Sequence, residues 1–457
     1  KQKKKGSMLF LLLITSYKNM MKVVYVGDNR NRGNFGCRAT STALSQLISE
    51  KNEIVGVVSG KYTNFDNGEL FFHKIYTKKF YEKLGKIKNW DSLKTGFYLF
   101  ARMIKRHKYF FSNFDFIGYD LDKSIDNLLR CLPANPNLKE FDLTQYDFDA
   151  LVVNGEGSFI FATPPWRECL VEMMLMHWAL KMGKKVYYLN GMLSDDPYTA
   201  TNMKTIEIAK ELFAKCEVVQ IREYESLDYA KKYFSNSHIE LRPDALFTWY
   251  KYINDGFNIN NGRYFMGPSG ATDSTFNSYD FTKEYICVAG SSSLSLETKD
   301  KDKIVMTYCN LVNKLKTLKK EIYVVEVCEG DYFLREVAEK TNTKLIPIDT
   351  PIIAAGKILA NARAFVSGRY HPAILASLGG TPCVFMASNS HKTKSLQELL
   401  KYENVVEYPV LPSDEEIMSI VQDTSIVIQG GDESRDKIRN RAKELCDNAQ
   451  TISELIK

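Results

Sequence analysis

Residues 364–394 read AFVSGRYHPAILASLGGTPCVFMASNSHKTK, and this stretch decides the fold. Its opening residues, Ala364–Ser367, form an apolar run that fits a buried strand and stops at Gly368. Pro372 then marks a helix start, because proline suits a first turn whose amides have no intrahelical acceptor. A second apolar run, Pro382–Met386, begins just past Gly379-Gly380. Strand, helix and strand in so short a span require a parallel sheet crossed by a helix. In this spacing His371 falls at the helix N-cap, with Arg369 and Tyr370 just ahead of it. A helix N-terminus attracts anions, and a guanidinium and an imidazole there make a site for phosphate or carboxylate. Lys392 lies on the next strand's exit loop, beside His391, which reads as a capping residue.

The same rhythm extends outward. Tyr285–Ala289, Ile322–Val327 and Lys344–Ile348 read as strands, separated by helical runs at Lys303–Leu318, Tyr332–Lys340 and Pro351–Ala362. A charged amphipathic helix, Asp432–Ile456, closes the chain. Towards the other end, Lys22–Gly27, Ile54–Ser59, Leu151–Asn154, Lys185–Asn190 and Val218–Arg222 alternate with helices such as Arg38–Lys51 and Trp166–Met182. Two stretches break the pattern. Residues 60–145 are rich in Lys, Phe, Tyr and Asn, with a basic aromatic helix around Lys94–Phe111. Residues 254–278 are rich in Gly, Asn, Asp and Ser.

The expected fold class is α/β, with two Rossmann-like domains facing a cleft and a C-terminal helix. The N-terminal domain spans 21–253 and carries an insertion at about 60–145. A linker or long loop follows at 254–278, and the second domain covers 279–457. Residues 1–20 begin Lys-Gln-Lys-Lys-Lys-Gly-Ser-Met and read as a tag or disordered extension.

Composition narrows the function. At 457 residues, 44% hydrophobic and 25% charged, the chain is an ordinary globular protein. Its net charge of +6 falls to about +2 without the four lysines of the first five residues, which argues against a nucleic-acid partner. Nine cysteines, scattered and never spaced C-x-x-C, read as free thiols of a reducing cytoplasm. The apolar run Met8–Ile14 is far shorter than the ~20 residues of a spanning helix.

In such folds ligands bind beyond the carboxyl ends of the strands. Arg222 ends the run Val218-Val-Gln-Ile and precedes an acidic helix start. Glu156 stands between Gly155 and Gly157 after the strand ending at Asn154, where it can accept from a sugar hydroxyl or act as a base. The loop Gly27–Gly36, GDNRNRGNFG, lacks the G-x-G-x-x-G spacing of a dinucleotide site. Asp120-Leu-Asp122 resembles a metal triplet but sits in the insertion. No metal site is expected.

The stretches GNFGCRAT, VVNGEGSF, YLNGM, IRE-x-x-S at Arg222, RPDALF, SGRYHPAILASLGGTP and SNSHK resemble, in order, those of the polysaccharide pyruvyl transferases. That resemblance implies the two-domain GT-B architecture and phosphoenolpyruvate as donor, without a metal or redox cofactor. It implies that Arg222, Arg369, Tyr370 and Lys392 bind the donor and that His371 is the acid. The acceptor, a sugar or lipid-linked oligosaccharide, would meet Glu156, Asn154 and Asn34 on the N-terminal, acceptor-side domain. The donor residues, Arg222 onward, are expected on the opposing wall. A cytoplasmic protein, peripherally associated with the inner face of the membrane, is the corresponding expectation. A nucleotide-sugar glycosyltransferase of the same architecture is the alternative. It would need a ribose-holding acid and base-stacking residues, and none is identifiable.

Overall fold

The computed structural model describes residues 20–59, 116–132, 136–255 and 279–457. The basic aromatic helix expected around Lys94–Phe111, most of the 254–278 stretch and residues 1–19 lie outside these.

The first sheet contains β1 (Met21–Asp28), β2 (Asn52–Ser59), β3 (Ala150–Asn154), β5 (Lys185–Gly191), β7 (Val218–Ile221) and β8 (Ile239–Leu241). Their spatial order is β2-β1-β3-β5-β7-β8, and every pairing is parallel. A short parallel pair, β4 (Phe159–Ile160) with β6 (Leu193–Ser194), stands apart. The second sheet contains β9 (Tyr285–Ser291), β10 (Glu321–Val325), β11 (Lys344–Ile346), β12 (Ala364–Gly368) and β13 (Cys383–Phe385). Its order is β11-β10-β9-β12-β13, again all parallel. Such sheets need cover on both faces, which is why β3, β9 and β12 are buried along their whole length.

The crossover helices supply that cover. They are α1 (Phe35–Ser49), α2 (Leu121–Cys131), α3 (Arg167–Lys181), α4 (Met203–Phe213), α5 (Tyr224–Tyr233), α6 (Lys301–Leu315), α7 (Phe333–Thr341), α8 (Ile352–Asn361), α9 (Tyr370–Leu378) and α10 (Lys392–Leu399). The described part of the insertion packs inward, with Phe116 and Phe141 in the core. Asp120 caps α2 and Asp122 pairs with Lys181.

The chain closes with the expected charged helix, α12 (Gly431–Gln450), preceded by a further helix, α11 (Asp414–Gln429). Ser413 and Glu416 form a reciprocal capping box that starts α11. The end of α12 returns to the first sheet's unit, where Arg242 Nε donates to Thr451 Oγ1 at 2.9 Å. One continuous apolar cluster takes residues from both sheets, from Tyr25 and Tyr187 to Tyr285 and Phe365.

Strand order places the functional site. The chain reverses direction across each sheet between β1 and β3 in the first and between β9 and β12 in the second. At such switch points the loops leaving adjacent strands part and open a crevice. The two crevices face each other. Phe35 N donates to the Val327 carbonyl at 3.0 Å, so the start of α1 is bound to the loop after β10.

Candidate active site

His371 joins the two units. It is the second residue of α9, and Arg369 is the N-cap. The helix therefore begins two residues earlier than the sequence suggests. Pro372 still costs nothing there, because the first amide with an intrahelical acceptor is Ala373 N, bonded to the Arg369 carbonyl at 3.2 Å. His371 Nε2 lies 3.3 Å from Asp244 Oδ2 and 3.3 Å from Arg222 Nη1. Its Nδ1 lies 3.9 Å from Glu156 Oε1.

Asp244 is the anchor of this group; the sequence ends a strand-like segment there and does not assign it to the site. It is fully buried and accepts from Arg222 Nη1 at 2.8 Å, Thr40 Oγ1 at 2.7 Å and Leu246 N at 2.9 Å. Asn190 holds the frame behind it, donating to Thr40 Oγ1 and accepting from Ala245 N, both at 2.9 Å. Burial would raise the Asp244 carboxyl, but His371 and Arg222 outweigh it and hold the group well below the carboxylate range.

Arg222 follows β7, so it belongs to the first sheet, on the same unit as Glu156. The expected division, with Arg222 on one wall and Glu156 on the other, is therefore corrected: both converge on His371. The Arg222 guanidinium stacks over the Tyr370 ring at 4.6 Å. Arg369 donates to Asp331 Oδ1 at 2.5 Å. The Nε atoms of both arginines and the Tyr370 hydroxyl are buried with no hydrogen-bond partner among the described residues.

Lys392 opens α10 and donates to Asn389 Oδ1 at 2.5 Å. Burial, then the positive charges of Arg222 and Arg369, push its ammonium down to about 8. Its neighbour His391 stands at the N-cap of α10 but does not cap it, contrary to the expectation. It offers no capping bond, and its ring reaches across to Glu223 at 3.2 Å and Glu225 at 3.3 Å.

Glu156 has φ 23, a left-handed backbone uncommon for a side-chain-bearing residue and of a kind found at functional turns. Its Oε2 accepts from Asn29 Nδ2 at 2.6 Å. Burial alone would raise this carboxyl; His371, the Cys37 thiol, Arg32 and Asn29 hold it below the usual range. Asn154 ends β3 and donates to the Gly27 carbonyl at 3.1 Å, tying two strand ends together. Asn34 is the N-cap of α1, accepting from Cys37 N at 3.1 Å. No sequence spacing could have shown that Cys37 lies beside Glu156 and His371.

Two doubly wound sheets meeting at their switch points make this an α/β protein of the GT-B kind. Comparison with solved structures gave distant similarities. UDP-N-acetylglucosamine 2-epimerase from Rickettsia bellii is similar at 10% identity and TM-score 0.48, with 96% of this chain and 99% of that one covered. The enzyme from Neisseria meningitidis is similar at 9% identity and TM-score 0.47, with coverages of 94% and 99%. Comparison with the curated proteins gave no match. The sequence model of the polysaccharide pyruvyl transferases matches residues 34–391, so the chain belongs to the polysaccharide pyruvyl transferase family. Among the described residues no helix is long and apolar enough to cross a membrane.

Proposed function

We propose that the protein transfers the pyruvyl group of phosphoenolpyruvate to sugar hydroxyls of a polysaccharide or its precursor, forming a pyruvate ketal. The observation that carries this reading is the convergence of Arg222 and His371 on Asp244, at 2.8 and 3.3 Å. Phosphoenolpyruvate is compact and multiply anionic. Arg222, Arg369 and Lys392 supply the fixed cations it needs, and the buried Nε atoms of both arginines are donors free for its oxygens.

In this reading His371 delivers a proton to the methylene carbon, leaving an oxocarbenium-like centre at the neighbouring carbon. A sugar hydroxyl adds there and loses its proton, with Glu156 placed to accept it. The bond from that carbon to the phosphate oxygen then breaks, and the bonding pair leaves with phosphate. A second hydroxyl closes the ketal. Of the two hydroxyl protons, one restores His371 and the other leaves on phosphate. Asp244 keeps the ring oriented, and Tyr370 holds the Arg222 plane.

Asn34 and Asn154 act through the loops they brace. A cavity of about 680 Å³ beside His391, lined by Ser194, Asp195, Glu225, Asp228 and Glu407, offers the carboxylates and hydroxyls that sugars bond, and we place the acceptor's distal sugar units there, with its reacting hydroxyl at Glu156. Titrating the protein with phosphoenolpyruvate and, separately, with UDP-N-acetylglucosamine tests the donor. Saturable binding of the first alone is expected; binding of the second alone overturns the reading.

A further inference from the structure

We propose that Cys37, Glu156 and His371 form a zinc site, and that zinc bound there blocks turnover. The three side chains come from α1, the loop after β3, and α9, and their ligand atoms all lie within 4.8 Å of one another. A tetrahedral zinc with bonds of about 2.0–2.3 Å places its ligand atoms roughly 3.3–3.8 Å apart. The Glu156–His371 pair already stands at 3.9 Å, and inward movement of the Cys37 thiol from within 4.8 Å completes the triad.

The donor set is thiolate, imidazole and carboxylate, the mixture zinc takes in preference to magnesium or calcium. The surroundings add an independent argument. Zinc would take Nδ1 of His371, while Nε2 faces Asp244 Oδ2 at 3.3 Å. A carboxylate behind the far nitrogen of a ligating histidine fixes its tautomer and raises its basicity. Asn29 holds the other oxygen of Glu156 at 2.6 Å, leaving Oε1 turned to the imidazole. Of the nearby cations, Arg32 is drawn to Glu168 at 3.5 Å and Arg222 to Asp244 at 2.8 Å, while Lys392 also faces the group. Binding displaces the Cys37 proton to solvent, and the two anionic ligands neutralise the ion.

Zinc on Nδ1 would occupy the imidazole that carries the reacting proton. The inhibition therefore rests on the proposed role of His371, whereas the binding does not. The probes are ZnCl₂, followed by competition with a chromophoric chelator, and CoCl₂, followed by absorption, on the full chain without substrate. One equivalent should bind, and cobalt should show a thiolate charge-transfer band. Cys37→Ser should weaken zinc binding at least tenfold and abolish that band; Cys37→Ala serves if the serine variant misfolds. Zinc binding unchanged in both variants, or no thiolate band, overturns the site. Turnover of the wild type should fall with zinc, and the Cys37 variants should resist it. Cys37-dependent binding without inhibition upholds the site and overturns the role given to His371.

Discussion

The ring of His391 lies 3.2 Å from the carboxylate of Glu223, the residue directly after Arg222. The loop leaving the last strand of the second sheet is thus fastened to the segment that carries the first sheet's buried cation. Burial works against the charged ring, but Glu223 and Glu225 outweigh it and raise the His391 pKa above 6.5. Glu223 itself, although buried, is held below 4.5, chiefly by His391. A raised histidine stabilises fully below 6.5, and that contribution is lost as pH climbs through the raised value. A depressed glutamate stabilises above 4.5, and that contribution is lost on acidification. This contact is therefore strongest between about 4.5 and 6.5. His391→Gln should flatten the alkaline fall in Tm measured from pH 6 to 9; an unaltered fall would show that the contact carries no stability.

Arg222→Lys and Arg369→Lys should each raise the KM for phosphoenolpyruvate by roughly tenfold to a hundredfold, the worth of one charged hydrogen bond. An ammonium cannot reproduce the planar fork, nor the Arg222 stack on Tyr370 at 4.6 Å. Circular dichroism should confirm that both variants fold. Donor affinity unchanged in both would move the anion site elsewhere.

Lys392, pushed down to about 8, loses its charge within an accessible range. Donor affinity should fall as pH rises through that value, because a neutral amine no longer attracts phosphate. Lys392→Met should bind phosphoenolpyruvate more weakly at pH 7 and lose the alkaline inflection. Titrations from pH 7 to 9 check this, and a persisting inflection would assign it to another group.

Gly36 packs directly under the start of α9. A Cβ at this position would stand 2.9 Å from His371 Cβ, closer than carbon atoms tolerate, and a tight 3.3 Å from the Pro372 ring. Gly36→Ala should therefore push α1 and α9 apart, lowering kcat by on the order of tenfold to a hundredfold. Overpacking of this kind costs about 1–3 kcal/mol, so a lowered Tm should accompany it. Wild-type kcat with a lowered Tm would separate packing from positioning.

Most of the fold was legible because parallel strands buried on both faces must be apolar runs, and runs such as Tyr285–Ala289 and Ala364–Ser367 announce themselves. Arg222, His371 and Glu156 were legible for a related reason: each follows such a run, where parallel sheets place ligands. The start of α9 was not, since proline is equally free of cost anywhere in the first turn. Ser413 and Glu416 did carry the signal for α11, the spacing of a capping box before an apolar run. Asp244 and Cys37 fall within the quoted stretches RPDALF and GNFGCRAT, but nothing local singles them out as site residues. Their importance lies in contacts made across the fold, with Arg222 at a separation of 22 residues and with Glu156 and His371 from the loop after β3 and from α9.

The most direct test is mass spectrometry of the surface polysaccharide from cells that carry the intact chain or its His371→Gln variant. The intact chain should yield saccharide bearing a pyruvate ketal, and the variant should all but lose it, since a general acid supplies ~10²–10⁴-fold in rate. Equal pyruvylation in both, or none with the intact chain, would contradict the account.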